Sequence, residues 1–141
     1  MKAFRTTIVI AAEPGTIWQL LTDGPGYPDW NTTVRGVDGT IAPNQKITVR
    51  VNAAPGRSFP VRVVEFVPGS RMVWRGGLPL GLFVGTRTYQ LRPVGGGQVE
   101  FTMREEFTGP LAPLITKSIP DLQPAFDEFA ACLKARAERS G

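Results

Sequence analysis

Between residues 32 and 107 the chain repeats one pattern, a short segment with apolar residues at every second position followed by a cluster of Gly, Pro, Asn or Asp. Alternation with a period of two marks a strand with one buried face, and the intervening residue types are those that tight turns require. Turn clusters fall at VDGTIAPNQ, NAAPGRS, VPGS, GGLPLG and VGGG. Between them Ile47/Val49/Val51, Met72/Trp74 and Phe83/Tyr89/Leu91 keep the period. In FPVRVVEFV the alternation changes phase near Val63 and Val64, which predicts a bulge that bends the strand. Six strands in a meander follow. Residues 3–12 add one more, with Phe4, Ile8 and Ile10 on one face and Thr7 and Val9 on the other.

Helical spacing appears twice. EPGTIWQLLTD places Pro14 where a first helical turn tolerates it and gives Ile17, Trp18, Leu20 and Leu21 a common face. GPGYPDWN, which follows, reads as a turn or a short second helix. From Leu111 to Leu133 apolar residues recur every three or four positions through Pro120 and Pro124, which predicts one kinked helix or two abutting ones. The fold class is therefore α+β in one domain, residues 1–141: a curved seven-stranded antiparallel sheet wrapped around a long C-terminal helix. One or two short helices follow strand 1. That arrangement buries the apolar face of the sheet and the apolar stripe of the helix together, and an apolar hollow between them is where small molecules bind.

The segment TRTYQLRPVGGGQVEFTMREEF, residues 86–107, carries more than fold information. A hairpin centred on Gly96 sets Leu91 opposite Phe101, Tyr89 opposite Met103, Arg87 opposite Glu105 and Gly85 opposite Phe107. A slip by one residue would move Phe101 and Phe107 to the face opposite Leu91 and Tyr89, so only pairings whose residue numbers have an even sum keep the apolar face together. Arg87 and Glu105 thereby share the apolar face as direct cross-strand partners. Either charge buried alone is strongly unfavourable, and a pair is the expected solution. The pair has two readings: an architectural ion pair that fixes register, or a polar anchor on a cavity wall in which Arg87 holds a ligand oxygen and Glu105 orients it.

The composition narrows the chemistry. The chain contains no histidine, which removes Ser-His-Asp and Cys-His nucleophile systems and histidine metal sites. Acid–base work then falls to carboxylates, tyrosine, lysine or bound water. A single cysteine excludes an internal disulfide and fits a reducing compartment, so a cytoplasmic location is expected. The start of the chain reads as a strand, not a signal peptide, and no apolar run is long enough to span a membrane. Net charge is +4, but the arginines at 50, 62, 71, 75, 92 and 104 fall on the outward phase of their strands, are interrupted by Glu100 and Glu106, and have no interleaved aromatics. A solvated sheet surface is expected there, with no nucleic acid partner and no integral membrane contact. Neither cofactor nor metal is expected.

Three stretches, EPGTIWQLLTDGPGYPDWNTTVRGVDG, VVEFVPGSRMVWRGGLPLGLFVGTRTYQLRPVGGG and EFTMREEFTGPLAPLI, resemble the polyketide cyclase/dehydrase branch of the START-like (SRPBCC) superfamily. The resemblance covers nearly the whole chain in the same order of elements. It implies a helix-grip fold with a deep cavity between sheet and C-terminal helix, used for lipids, sterols, polyketides and similar molecules. Many such proteins bind or carry a ligand, and some cyclise or dehydrate it. Relatives often have histidine where Arg87 and Met103 stand, so proton transfer by histidine is not expected at either position.

On this reading the cavity wall comprises Trp30 at the mouth, Met72, Trp74 and Phe83 on strands, and Arg87, Tyr89, Met103, Glu105 and Phe107 in the hairpin. Leu114 and Phe126 face it from the C-terminal helical segment. Leu78, Leu80 and Leu82 form either a lid or a plain apolar-sided turn. The expected role is binding or carriage of a hydrophobic small molecule. One alternative is a cyclase- or dehydratase-type enzyme using Glu105, Tyr89 or Asp29 as acid or base, with Asp29 otherwise a helix cap. The other is a membrane-surface or protein-interaction module.

Overall fold

In the computed structural model, residues 2–52 and 54–140 are described. Seven strands form one antiparallel sheet in the order β1-β7-β6-β5-β4-β3-β2. They are β1 (Lys2–Ile10), β2 (Val34–Asp38), β3 (Lys46–Val51), β4 (Phe59–Val67), β5 (Arg71–Gly77), β6 (Val84–Gly95) and β7 (Gln98–Thr108). Strands β2 to β7 meander, each beside its predecessor, and β1 closes against β7. The hairpin pairs as its side-chain pattern requires, with Leu91 opposite Phe101, Tyr89 opposite Met103, Arg87 opposite Glu105 and Gly85 opposite Phe107. The register of β4 against β5 shifts between Val63 and Glu65, where the apolar phase changes in sequence. Val63 is buried there and its neighbour Val64 is exposed.

After β1, helix α1 (Pro14–Thr22) buries Ile17, Trp18 and Leu21. Trp18 reaches β4, its ring 5.4 Å from that of Phe66 in an edge-on contact. A four-residue helix, α2 (Tyr27–Trp30), follows. The Tyr27 hydroxyl donates to the Leu21 carbonyl at 2.5 Å and so ties α2 to the end of α1.

The C-terminal segment departs from the continuous or kinked helix that its periodicity predicts. Helix α3 (Ala112–Ile115) and a 3-10 turn (Thr116–Ser118) end at Ile119, whose backbone is extended at φ −82°, ψ 126°. The cause is Pro120, because the residue before a proline is pushed out of the helical region. Helix α4 (Gln123–Ser140) then starts afresh, with Pro124 in its first turn, where no amide donor is needed. Its buried stripe is Phe126, Phe129, Ala130, Leu133 and Ala137. Side chains lash α4 to β1 along its length. Gln123 Nε2 donates to the Arg5 carbonyl, Lys134 Nζ to the Val9 carbonyl, and the Ala11 amide to Glu138. That amide and Lys134 together hold the Glu138 carboxyl below the usual carboxylate range.

Phe129 is the central knob between helix and sheet. Its ring lies 5.7 Å from Trp30 and 6.2 Å from each of Tyr27, Tyr89 and Phe101. A buried phenylalanine of this kind contributes roughly 1.5–3 kcal/mol through its removal from water alone.

Candidate ligand-binding site

The inner face of the sheet can be read in rows across the strands. One row runs Phe4, Glu105, Arg87, Trp74, Val63 through β1, β7, β6, β5 and β4. The next row, toward the closed end, runs Thr6, Met103, Tyr89, Met72, Phe66. On the other side, Phe107, Gly85 and Gly76 are successive partners across β7, β6 and β5. Two facing glycines leave the sheet without side chains beside Arg87 and Trp74. A methyl group added at Gly85 would lie 3.4 Å from Glu105 Oε2 and from the Phe107 ring. Gly85 therefore borders the charged pair directly, whereas the space over Gly76 is taken by the Pro60 carbonyl and Val61, which a methyl group there would meet at 2.6 and 2.8 Å.

Arg87 Nε donates to Glu105 Oε1 at 2.5 Å. The guanidinium lies over the Phe126 ring of α4, its Cζ 4.9 Å from the centroid. Burial disfavours the charged guanidinium, but its interactions with Glu105 first and then Tyr89, electrostatic and hydrogen-bonded, outweigh it, so the Arg87 pKa is raised above the ordinary arginine range. Arg87 is accordingly a permanent cation. Burial pushes the Tyr89 phenol up to about 12, against a smaller lowering effect of Arg87. Burial, aided by the neighbouring Tyr89, also raises Tyr27 well above the tyrosine range.

Accessibility separates the pair from its surroundings. Tyr89 and Met103, one row away, are each 1% exposed. The Arg87 and Glu105 side chains are 19% and 15% exposed. Solvent therefore reaches the pair, at whose border Gly85 leaves the inner face without a side chain. Beside it, Trp74 Nε1 is buried with no hydrogen-bond partner among the described residues, as is Trp30 Nε1. Trp74 packs on Tyr89, ring centroids 4.8 Å apart. The site thus holds a fixed cation, a carboxylate, a neutral phenol and an unused indole donor within an apolar frame.

That frame includes residues the sequence reading passed over. Phe4, opposite Glu105 on β1, contacts both Phe107 at 6.4 Å and Phe126 at 5.9 Å. Phe83 stacks on Phe107 at 5.7 Å with an interplanar angle of 8°. Ile119 and Leu122, in the break before α4, are half-buried against the core. Phe4 was legible as an inward residue of its strand; its neighbourhood to Glu105 depends on the β1–β7 register, which no local pattern reveals.

Most of the expected wall residues do face inward: Trp30, Met72, Trp74, Tyr89, Met103, Phe107 and Phe126 are buried and Phe83 half-buried. One wall position, Leu114, differs, and the acid–base candidate Asp29 lies apart from the wall. Leu114 is 66% exposed, because α3 buries Ala112 and Leu114, two residues on, falls on the other side of the helix. Asp29 is exposed in the first turn of α2, while Tyr27 and Trp30 of that helix point inward. Leu78, Leu80 and Leu82 are all exposed, with Leu80 at φ +61° and 96% exposed at the loop tip. The Leu111 amide donates to the Leu82 carbonyl, so this loop and the start of α3 form one apolar rim.

The resemblance also implies a deep cavity between sheet and helix. The two described concavities, of about 530 and 550 Å³, instead open on the outer sheet face and beside the β2–β3 strands. At the level of Phe129 the space between α4 and the sheet is filled by aromatic contacts. The charged pair, beside Phe126 near the start of α4, keeps a partial exposure that this filled region lacks.

A sequence-family profile described as polyketide cyclase / dehydrase and lipid transport matches residues 1–138. The chain belongs to this family. No curated protein matches it in sequence. Among solved structures it is similar to a START superfamily protein from Mycobacterium smegmatis, at 18% identity over 99% of each chain with a TM-score of 0.68. It is likewise similar to the Zhui aromatase/cyclase of a Streptomyces species, at 14% identity over 98% of this chain and 94% of that one, TM-score 0.74. A hypothetical protein from Helicobacter pylori superposes with a TM-score of 0.78 at 15% identity, covering 96% of this chain and 88% of the other. Identities this low establish the helix-grip fold and leave function to the site itself. Among the described residues no helix is long and apolar enough to cross a membrane, and no His/Cys/Asp/Glu group suited to a metal ion occurs.

Proposed function

We propose that this protein binds a hydrophobic small molecule with an acidic or strongly polar end. The polar end meets Arg87 and Glu105, and the apolar body lies over Gly85 between Phe83, Phe107 and the Ile119–Leu122 segment. The observation that carries this reading is the partial exposure of one charged pair in an otherwise closed apolar face. A purely architectural pair would be expected to be covered like its neighbours. The unused Trp74 Nε1 supports the reading, since a ligand oxygen near Arg87 is its natural acceptor. The exposed leucines of the 78–82 loop and Leu114 give the opening an apolar rim suited to such a ligand. The family description, with its lipid transport and cyclase members, points to the same ligand class.

Catalysis is the less supported alternative. Tyr89, with its pKa near 12 and its side chain buried, is a hydrogen-bond donor at neutral pH and not a base. Asp29 is on the surface. A cytoplasmic location fits the half-buried free thiol of Cys132.

The test compares a long-chain carboxylate with its methyl ester, by tryptophan fluorescence, on the wild type and on Arg87→Leu/Glu105→Leu. The carboxylate is expected to bind about tenfold or more tightly than the ester to the wild type, roughly the value of one charge-assisted hydrogen bond. The double variant is expected to lose that preference while still binding the ester. Equal preference in both proteins would refute the assignment.

A further inference from the structure

The outer face of the sheet carries an arrangement that the inner site does not explain. Arg5 on β1 stands directly opposite Arg104 on β7, and Arg62 on β4 directly opposite Arg75 on β5. Like charges directly opposite one another are destabilising, so two such pairs on one face need an offset. Part of it is visible: Arg104 bonds Glu106 at 2.6 Å, and Arg71 bonds Glu65 at 3.2 Å. Arg62 donates to the Asn44 carbonyl at 2.6 Å. For the Arg5 and Arg75 guanidinium groups, no hydrogen bond or ion pair is formed among the described residues.

Both residues line a depression of about 530 Å³ on this face. Its floor is small and polar. Thr88 lies between Arg104 and Val73, and Thr86 between Glu106 and Arg75. Strand β1 is three inter-strand steps from β5, about 14 Å. A small group resting on Thr86 and Thr88 is therefore within the combined reach of two extended arginine side chains. The depression is lined by four arginines, Arg5, Arg71, Arg75 and Arg104, against two carboxylates, Glu65 and Glu106, and both carboxylates are engaged by arginine. Guanidinium forks on two sides and hydroxyl donors beneath are the donor set of a tetrahedral oxyanion.

We propose that this depression is a second binding site, for a phosphate monoester group, held between Arg5 and Arg75 over the Thr86–Thr88 floor. A dianion there offsets the repulsion built into the face and uses the two guanidinium groups that lack partners. The site is on the opposite side of the sheet from Arg87 and Glu105, and it stands or falls independently of the proposed hydrophobic ligand. A concave depression of this size suits a small soluble monoester better than a flat membrane.

The experiment is calorimetric titration of the full chain with glycerol 3-phosphate, in parallel with wild type, Arg5→Gln/Arg75→Gln and Arg92→Gln. Arg92 lies on the outer face but does not line the depression. Saturable one-to-one binding is expected in the wild type and in Arg92→Gln, with at least a tenfold loss in Arg5→Gln/Arg75→Gln. All the substituted residues are on the exposed face, and unchanged thermal unfolding verifies that the variants fold. Equal weakening by Arg92→Gln would mean diffuse electrostatics, and absence of saturable binding would mean no site; either overturns the proposal. Binding confined to vesicles that contain phosphatidic acid, with none to glycerol 3-phosphate, would also overturn it and assign the face to a membrane.

Discussion

The β6–β7 hairpin contains two arginine–glutamate pairs built alike and placed differently. Arg87 stands directly opposite Glu105, and Arg92 directly opposite Glu100, each with the arginine on β6 and the glutamate on β7. The first pair projects to the inner face, bonded at 2.5 Å with side chains 19% and 15% exposed. The second projects outward, at 3.1 Å with side chains 63% and 29% exposed. Odd against even position in a strand decides which is which. The outer pair is solvated and held loosely. The inner pair is largely desolvated, held by Tyr89 and Phe126, and only partly exposed. The same chemistry is surface decoration in one place and a candidate anchor in the other.

Deleting one partner should separate the pairs most clearly. Arg87→Leu leaves Glu105 on the apolar face without its cation and is expected to cost about 3 kcal/mol, the lower end for a buried pair because this one is slightly open. Arg92→Leu is expected to cost under about 1 kcal/mol. Urea unfolding of both variants measures the difference, and similar losses would remove the distinction. Arg87→Leu/Glu105→Leu removes both inner charges together and should recover most of the stability, to within about 1 kcal/mol of wild type.

The phenol beside the inner pair sharpens the contrast through pH. Burial raises the Tyr89 pKa from the ordinary 10.0 to about 12, and it also raises Tyr27. A raised pKa in the folded state contributes stability that is complete below the unfolded value of about 10 and is lost as pH climbs through the folded value. These are the only two tyrosines in the chain. Ultraviolet titration should therefore show little phenolate at pH 10.5, with both tyrosines ionising late. A normal titration of either near pH 10 in the folded protein would contradict the burial assigned to it.

Smaller effects follow. Gly85→Ala is expected to leave the fold intact, since the added methyl meets Glu105 and Phe107 at ordinary contact distance. It should weaken ligand binding by about tenfold, the scale of one methyl group in a close-fitting site. In 0.5 M salt the coupling between Arg92 and Glu100 is expected to vanish in a double-mutant cycle while that between Arg87 and Glu105 persists.

How much of this could be read from the chain depends on how far each signal reaches. Strand phase and turn residues are local, so the Arg87–Glu105 pairing and the bulge at Val63 were both legible. The helix break was less so. Apolar spacing carries through Pro120 and masks the extended Ile119 that the proline imposes, and it does not show that Leu114 faces away from the side on which Ala112 is buried. Asp29 and Trp30 are neighbours in sequence, yet the four-residue α2 turns one outward and the other inward. The filling of the interior by Phe129 was the hardest to see. The helical stripe marks it as buried, but not that it would meet Tyr27, Trp30, Tyr89 and Phe101 at once.

The most direct test of the inner site uses the indole N–H signals of the three tryptophans, assigned by Trp74→Phe and observed in a nitrogen-15 labelled sample during titration with a long-chain carboxylate. Trp74 Nε1, buried beside Arg87 without an acceptor, should shift most and saturably, while Trp18, packed on Phe66, stays nearly still. Saturable binding that leaves the Trp74 signal in place would contradict the account.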